Sequence, residues 1–239
     1  MPQPYREHLP PDELRPVVAC LWEHTPSAAH RQAIVPDGCV DLIWLADREL
    51  VIAGPDTGPR TADLPAGTRS SGIRLRPGAA GAVLGLPASE LRDCEVAATL
   101  VWGAQAAHLE ELLRDASPAA RLQLLADAIT VRDARPDPLA LVAARRLAAR
   151  GARVADVASQ LGVSERHLHR RMLTSVGYGP KMLARVARMR RLVAGTQGSL
   201  AARAFAAGYA NQAHMTEELR RLTGTTPVRF LKDAALTAA

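Results

Sequence analysis

The sequence predicts an α+β protein. A β-rich, sensor-like N-terminal domain is followed by helices, and an all-α C-terminal domain carries two helix-turn-helix motifs joined by a linking helix. Three observations carry this expectation. Short runs rich in Val, Ile, Leu and Trp, divided by turn signals, fill much of the first hundred residues. One pattern of helix punctuation occurs twice in the last hundred, about 47 residues apart. The charge divides as well: residues 1–132 hold 12 Lys+Arg against 17 Asp+Glu (net −5), and residues 133–239 hold 18 against 7 (net +11), which together make the +6 of the chain.

At 239 residues the chain is long enough for two separate cores, and its 48% hydrophobic and 23% charged content is ordinary for a globular protein. No apolar run approaches the roughly 18 residues needed to cross a bilayer. The start, M-P-Q-P-Y-R-E-H, lacks the apolar core of a signal peptide. A cytoplasmic protein with no membrane partner is therefore expected. Cys20, Cys39 and Cys94 cannot all pair within one chain, which suits a reducing compartment.

Element by element, Pro2, Pro4, Pro10, Pro11 and Pro16 mark residues 1–16 as an extended lead-in. Strands are expected at 17–22, 33–35, 40–45, 50–53 and 70–76, separated by Pro36-Asp37-Gly38, Asp47-Arg48 and Gly54-Pro55. Pro77 ends the last strand and opens a helix over 78–85. This makes a β-rich domain over 1–103. From Ala104 the period becomes helical: Leu109, Leu112 and Leu113 share one face, as do Leu122, Leu125 and Ile129, with Ser117-Pro118 as cap and first turn. These faces need cover, so 104–132 is expected to be a connector or a dimer contact. Residues 133–138, within R-D-A-R-P-D-P, form the linker where the charge changes sign, and 139–233 form the double helix-turn-helix domain.

In the first motif a helix from Val154 places Val157, Ala158 and Leu161 on one face, and Gly162 turns the chain. Ser164 caps the next helix, with Glu165 at its positive end. Leu168 and Met172 point inward, leaving Arg166, His169 and Arg170 outward. An arginine there can donate two bonds to guanine O6 and N7 in a major groove. His167 and Arg171 flank that face and, with Ser164, suit phosphates. The second motif buries Met215, Leu219 and Leu222 and turns Ala213, Thr216 and Glu217 outward, with Gln212 and His214 at the entry and Arg220 for the backbone. Its face is less cationic: Glu217 accepts from a cytosine amino group but repels phosphates. The first motif is therefore expected to supply most base discrimination. A linking helix over 180–194, roughly 22 Å long, would hold the two recognition helices about one DNA turn apart, near 34 Å.

These residues resemble a known family. Residues 139–232, with both motifs, the Gly-x-x-Pro after each and the linking helix, resemble the DNA-binding domain of AraC/XylS-type transcriptional regulators. P-D-G-C-V-D-L-I-W (36–44), V-I-A-G-P (51–55) and G-I-R-L-R-P-G-A-A (72–80) are similar to the small β-rich domain of one AraC-type subgroup. The resemblance implies base contacts at Arg166, His169 and Arg170, double-stranded DNA and RNA polymerase as partners, and a small-molecule or redox effector at the N-terminal half. The family's second motif usually has a basic residue where Glu217 stands and often an aromatic one where Met215 stands.

Other readings are weaker. The three cysteines read as buried, inert thiols; the alternatives are a redox switch, or a metal site with His24 or His30. Cys20 and His24 lie about 13 Å apart on a strand and cannot share one metal. Trp22, Trp44 and Trp102 read as core. No nucleophile elbow, phosphate loop, metal-binding helix or paired-Cys motif supports an enzyme, and no cofactor is implied. A non-specific, architectural DNA binder is the remaining alternative, opposed by the base-facing Arg and His side chains.

Overall fold

The computed structural model describes residues 5–237, with side chains through 232. Pro2 and Pro4 of the expected lead-in lie outside them. The N-terminal half builds β1 (Tyr5–His8), β2 (Val18–His24), β3 (His30–Ile34), β4 (Val40–Leu45), β5 (Glu49–Ala53), β6 (Arg60–Leu64), β7 (Ser70–Leu75) and β8 (Glu95–Ala97). Six of these form an antiparallel sheet in the order β1-β2-β7-β4-β5-β8, while β3 and β6 pair separately. The strands at 17–22, 40–45, 50–53 and 70–76 are where periodicity puts them, to within two residues at each end. Expected strand 33–35 sits at the end of the longer β3. β1, β6 and β8 were not anticipated: β1 falls inside the proline-rich lead-in, β6 has little apolar content, and β8 has three residues.

Period-two alternation divides the main sheet into two faces. Leu21, Ile73, Leu42 and Ile52 are cross-strand neighbours and lie in the core. That face is covered by α1 (Ala80–Leu84), α2 (Thr99–Trp102), α3 (Ala104–Asp115) and α4 (Pro118–Thr130). Ser117 caps α4 by accepting from Ala120 N–H at 3.3 Å. Leu109, Leu113, Leu125 and Ile129 belong to the sheet's own core. Those apolar faces are thus mostly covered within the same chain, and 104–132 shares a core with 1–103, while Leu112 on the same face of α3 is 43% exposed. Polar anchors reinforce the packing. Glu110 Oε1 accepts from Leu50 N–H at 3.0 Å, and the buried Arg121 donates to Leu113 O at 3.0 Å and pairs with Asp47.

The second face mixes polar and apolar side chains. Cys20, Arg74 and Asp41 are cross-strand neighbours there, and Trp22 lies over Gly72. A side chain at Gly72 would run into the indole, since an added methyl carbon would sit 2.4 Å from it. Trp22 donates to Asp41 at 2.9 Å, and Arg74 reaches the same carboxylate at 3.1 Å. Burial pushes the Asp41 carboxyl up despite the guanidinium beside it. Trp22, Trp44 and Trp102 are all buried.

The C-terminal half holds α5 (Pro138–Leu147), α6 (Val154–Gln160), α7 (Glu165–Val176), α8 (Pro180–Ala194), α9 (Leu200–Ala207), α10 (Gln212–Thr223) and α11 (Pro227–Thr237). Ser164 caps α7 as expected, and Ser199 caps α9 and Asn211 caps α10 in the same way, each accepting a backbone N–H three residues on. Gly162, Gly177, Gly208 and Gly224 take left-handed conformations at the turns, at φ +66°, +95°, +94° and +69°.

Residues 133–137 are irregular and precede α5, yet the two halves are packed together. Gly81 of α1 lies against the end of α7, where a methyl added to it would come within 2.4 Å of Thr174 O. Gly177 faces Pro55 and Ala88 in the same way. Arg190 of α8 donates to Asp37 O at 3.3 Å, and Val35 packs on the core of the second motif.

Gly→Ala in a helix is ordinarily stabilising by up to about 1 kcal/mol. Gly81→Ala is expected to do the reverse, lowering stability by about 1–2 kcal/mol and speeding proteolysis within 133–137. Urea melts and a timed limited digest would check this; a stabilised, equally resistant variant contradicts the contact.

Candidate nucleic-acid interface

In the first motif, Leu168 and Met172 are fully buried, which turns the opposite side of α7 to solvent. Arg166, His169 and Arg170 are exposed there. Arg170 Nη2 lies 3.3 Å from His167 Nδ1, and His169 rests over Gly179, where an added methyl would be 2.6 Å from its Nε2. Glu165, Arg166, His169, Lys181 and Arg185 border an open concavity between α7 and the start of α8. Ser164 is exposed but its hydroxyl is occupied in capping, accepting from His167 N–H at 3.1 Å.

Arg171, expected to face phosphates, also has a partner within the protein. Its Nε donates at 2.5 Å to Asp137 Oδ2, while Asp137 Oδ1 caps α5 by accepting from Leu139 N–H at 2.9 Å. The recognition helix is thereby tied to the end of the linker. Position on a helical flank could not reveal this, because the partner lies 34 residues away.

In the second motif, Met215, Leu219 and Leu222 are buried as expected. Gln212, Ala213, Thr216, Glu217, Arg220 and Arg221 line a second open concavity on the outer side of α10. Thr216 donates to Gln212 O at 2.9 Å, and Glu217 pairs with Arg221. His214 Nδ1 accepts from Ala210 N–H at 3.4 Å, so the neutral ring carries its proton on Nε2; its edge meets Tyr209 with ring centres 5.6 Å apart.

Sequence reasoning missed Glu218. It is buried, and both its oxygens are held from α8: Oε1 by Arg185 Nε and Arg188 Nη2 at 2.8 Å each, Oε2 by Arg188 Nε at 3.1 Å. The signal was a carboxylate inside the stripe of Met215, Leu219 and Leu222, opposite an arginine-rich helix. Arg191, also on α8, donates to Ala207 O at 3.1 Å and to Ala148 O, the ends of α9 and α5.

Among the described residues, no group of three His, Cys, Asp or Glu side chains is placed to hold a metal. Burial pushes the Cys20 thiol up to about 11 and Cys39 well above its ordinary value, so both stay protonated near neutrality and are poor nucleophiles. Cys94 is exposed. No helix among the described residues is long and apolar enough to cross a membrane.

A family profile described as a helix-turn-helix domain, of the AraC type, matches residues 157–233. The C-terminal half is an AraC-type DNA-binding domain. Residues 6–97 match a second profile, described as a domain of unknown function (DUF6597). The chain thus joins a helix-turn-helix domain of the AraC type, a domain of DNA-binding transcription regulators, to an N-terminal DUF6597 domain. No curated protein matches it. Among solved structures, ToxT of Vibrio cholerae O395 is 11% identical, covering 88% of this chain and 95% of that one with a TM-score of 0.47. ToxT of strain SCE256, bound to unsaturated fatty acid, is also 11% identical, covering 88% and 93% with a TM-score of 0.45.

The Asp137 and Glu218 carboxyls are both held below their usual range. Burial alone would raise them, but the hydrogen bonds and charge of Arg171 on Asp137, and of Arg188 and Arg185 on Glu218, outweigh it. For a lowered folded pKa, the stabilisation is fully present above the unfolded value near ~4 and is lost as pH falls through the folded value. Urea melts from pH 7 to 3 should steepen below about pH 4, and Asp137→Asn and Glu218→Gln should each flatten that fall; parallel profiles would remove these pairs as its cause.

Proposed function

We propose that the protein is a sequence-specific regulator of transcription that lays its two recognition helices, α7 and α10, in successive major grooves of one duplex, under control of an effector at its N-terminal domain. The observation that carries this reading is the repeated motif itself: two capped, exposed recognition helices joined by one fifteen-residue helix whose arginines anchor both units. Arg166, Arg170 and His169 are assigned to base edges in one groove, with His167 and the free end of Ser164 toward phosphates. Gln212, His214, Thr216 and Glu217 are assigned to the other, with Arg220 toward the backbone. Arg171 is assigned to holding α7 in place.

The second motif's acidity is less of an obstacle than its sequence suggests. The Arg221 partner offsets the charge of Glu217, and both groups are about two-thirds exposed. Such a surface pair is weak, so Glu217 is free to exchange it for a cytosine amino group. An RNA polymerase contact belongs to the same reading, as does sensing by the sheet face around Arg74 and Asp41.

A random-library selection with the full chain near physiological salt tests the reading. It should enrich a site of about two helical turns, roughly 20 base pairs, with sharper preferences in the half read by α7. Arg170→Ala should weaken the selected site by about 1–3 kcal/mol and relax one base position. Binding that falls steeply with salt but selects no sequence would point to an architectural DNA binder instead.

A further inference from the structure

We propose that Glu218 is a positioning residue for DNA reading: its carboxylate fixes the angle and axial setting of the second recognition helix on the linking helix, and so the spacing between the two half-sites. The inference rests on the two-groove reading above.

Apolar contact sets distance between helices but tolerates sliding; besides Glu218, α10 buries Met215, Leu219 and Leu222, and Thr223, whose hydroxyl donates back to Leu219 O within the helix. Glu218 supplies what those residues lack. Arg188 grips it through two nitrogens, a planar and directional contact, and Arg185 grips it from one turn earlier on α8. Two anchor points on α8 fix both rotation and translation of α10. An ion pair this buried gains little in net stability over a well-packed apolar residue, and its best-attested use is to select one geometry among several.

The contact also continues to the DNA side. The Arg188 guanidinium carbon lies 5.7 Å from the centre of the Tyr209 ring. Tyr209 in turn meets the edge of His214 at the entry of the recognition helix. Buried Glu218 is thus linked through two side chains to a residue assigned to bases.

The test is the same random-library selection, run on full-length wild type, Glu218→Gln and Arg185→Gln, with thermal melts alongside. Glu218→Gln keeps the size of the side chain and removes its charge. Its selected site should keep the first half unchanged, lose at least tenfold in base preference in the second half, and tolerate a wider range of half-site spacings. Arg185→Gln leaves the double grip of Arg188 and should shift both readouts the same way by less, which carries the test if Glu218→Gln does not fold. Selection unchanged in both halves, or an equal weakening of both at fixed spacing, overturns the positioning role. A wild type that selects no two-part site overturns the two-groove reading, and the positioning role with it.

Discussion

A charge removed from water must find an opposite charge, and that requirement organises the C-terminal half. Glu218 is nearly enclosed, and α10 is set so that both its oxygens meet the arginines of α8. Arg191 extends the logic to neutral partners, taking the carbonyls left unbonded at the ends of α5 and α9. One helix thereby holds the ends of α5 and α9 and the middle of α10. The net charge of +11 on residues 133–239 therefore overstates what is offered to a polyanion. Arg171, Arg185, Arg188, Arg190 and Arg191 all donate to groups inside the protein.

Legibility in the sequence tracked how local the cause was. Caps and turns depend on residues within four positions of each other, so Ser164 and Gly162 could be read directly. The inward sets Leu168 and Met172, or Met215 and Leu219, follow from helical period alone. Strands were legible where they sit in the sheet's centre and are rich in apolar residues. β1, at the edge and mostly exposed, and β6, of alternating burial but polar content, gave no such signal. What covers a face is a different matter from its existence. The leucines of α3 and α4 were visible, but only the fold shows that their cover is the sheet of the same chain. The ion pairs of Arg171 and Glu218 were not legible for the same reason, since their partners lie about thirty residues away.

The N-terminal domain is joined to the reading units by close approach of glycine backbone as well as by side chains. Gly81 lies on the Thr174 carbonyl, and Gly38 lies beneath Tyr178 and Leu183, where an added methyl would be 3.1 Å from each. At Gly81 the contact is backbone to backbone and has no slack, so small rearrangements of α1 are felt at α7. The β3–β4 turn concentrates the effect. Val35 packs on the second unit's core, while three residues later Gly38 touches the first.

That turn has a consequence for how the molecule comes into being. The chain is made from its N-terminus, and domains generally fold as units in that order. The sheet, α1 and the turn carrying Val35 and Gly38 all precede residue 133, so the seat is finished while the helices that dock on it are still being synthesised. The first unit can settle on Gly81 and Gly38 as it emerges, and the second completes its core last, against a surface already in place. The ribosome thus delivers a template before the parts that are cast on it.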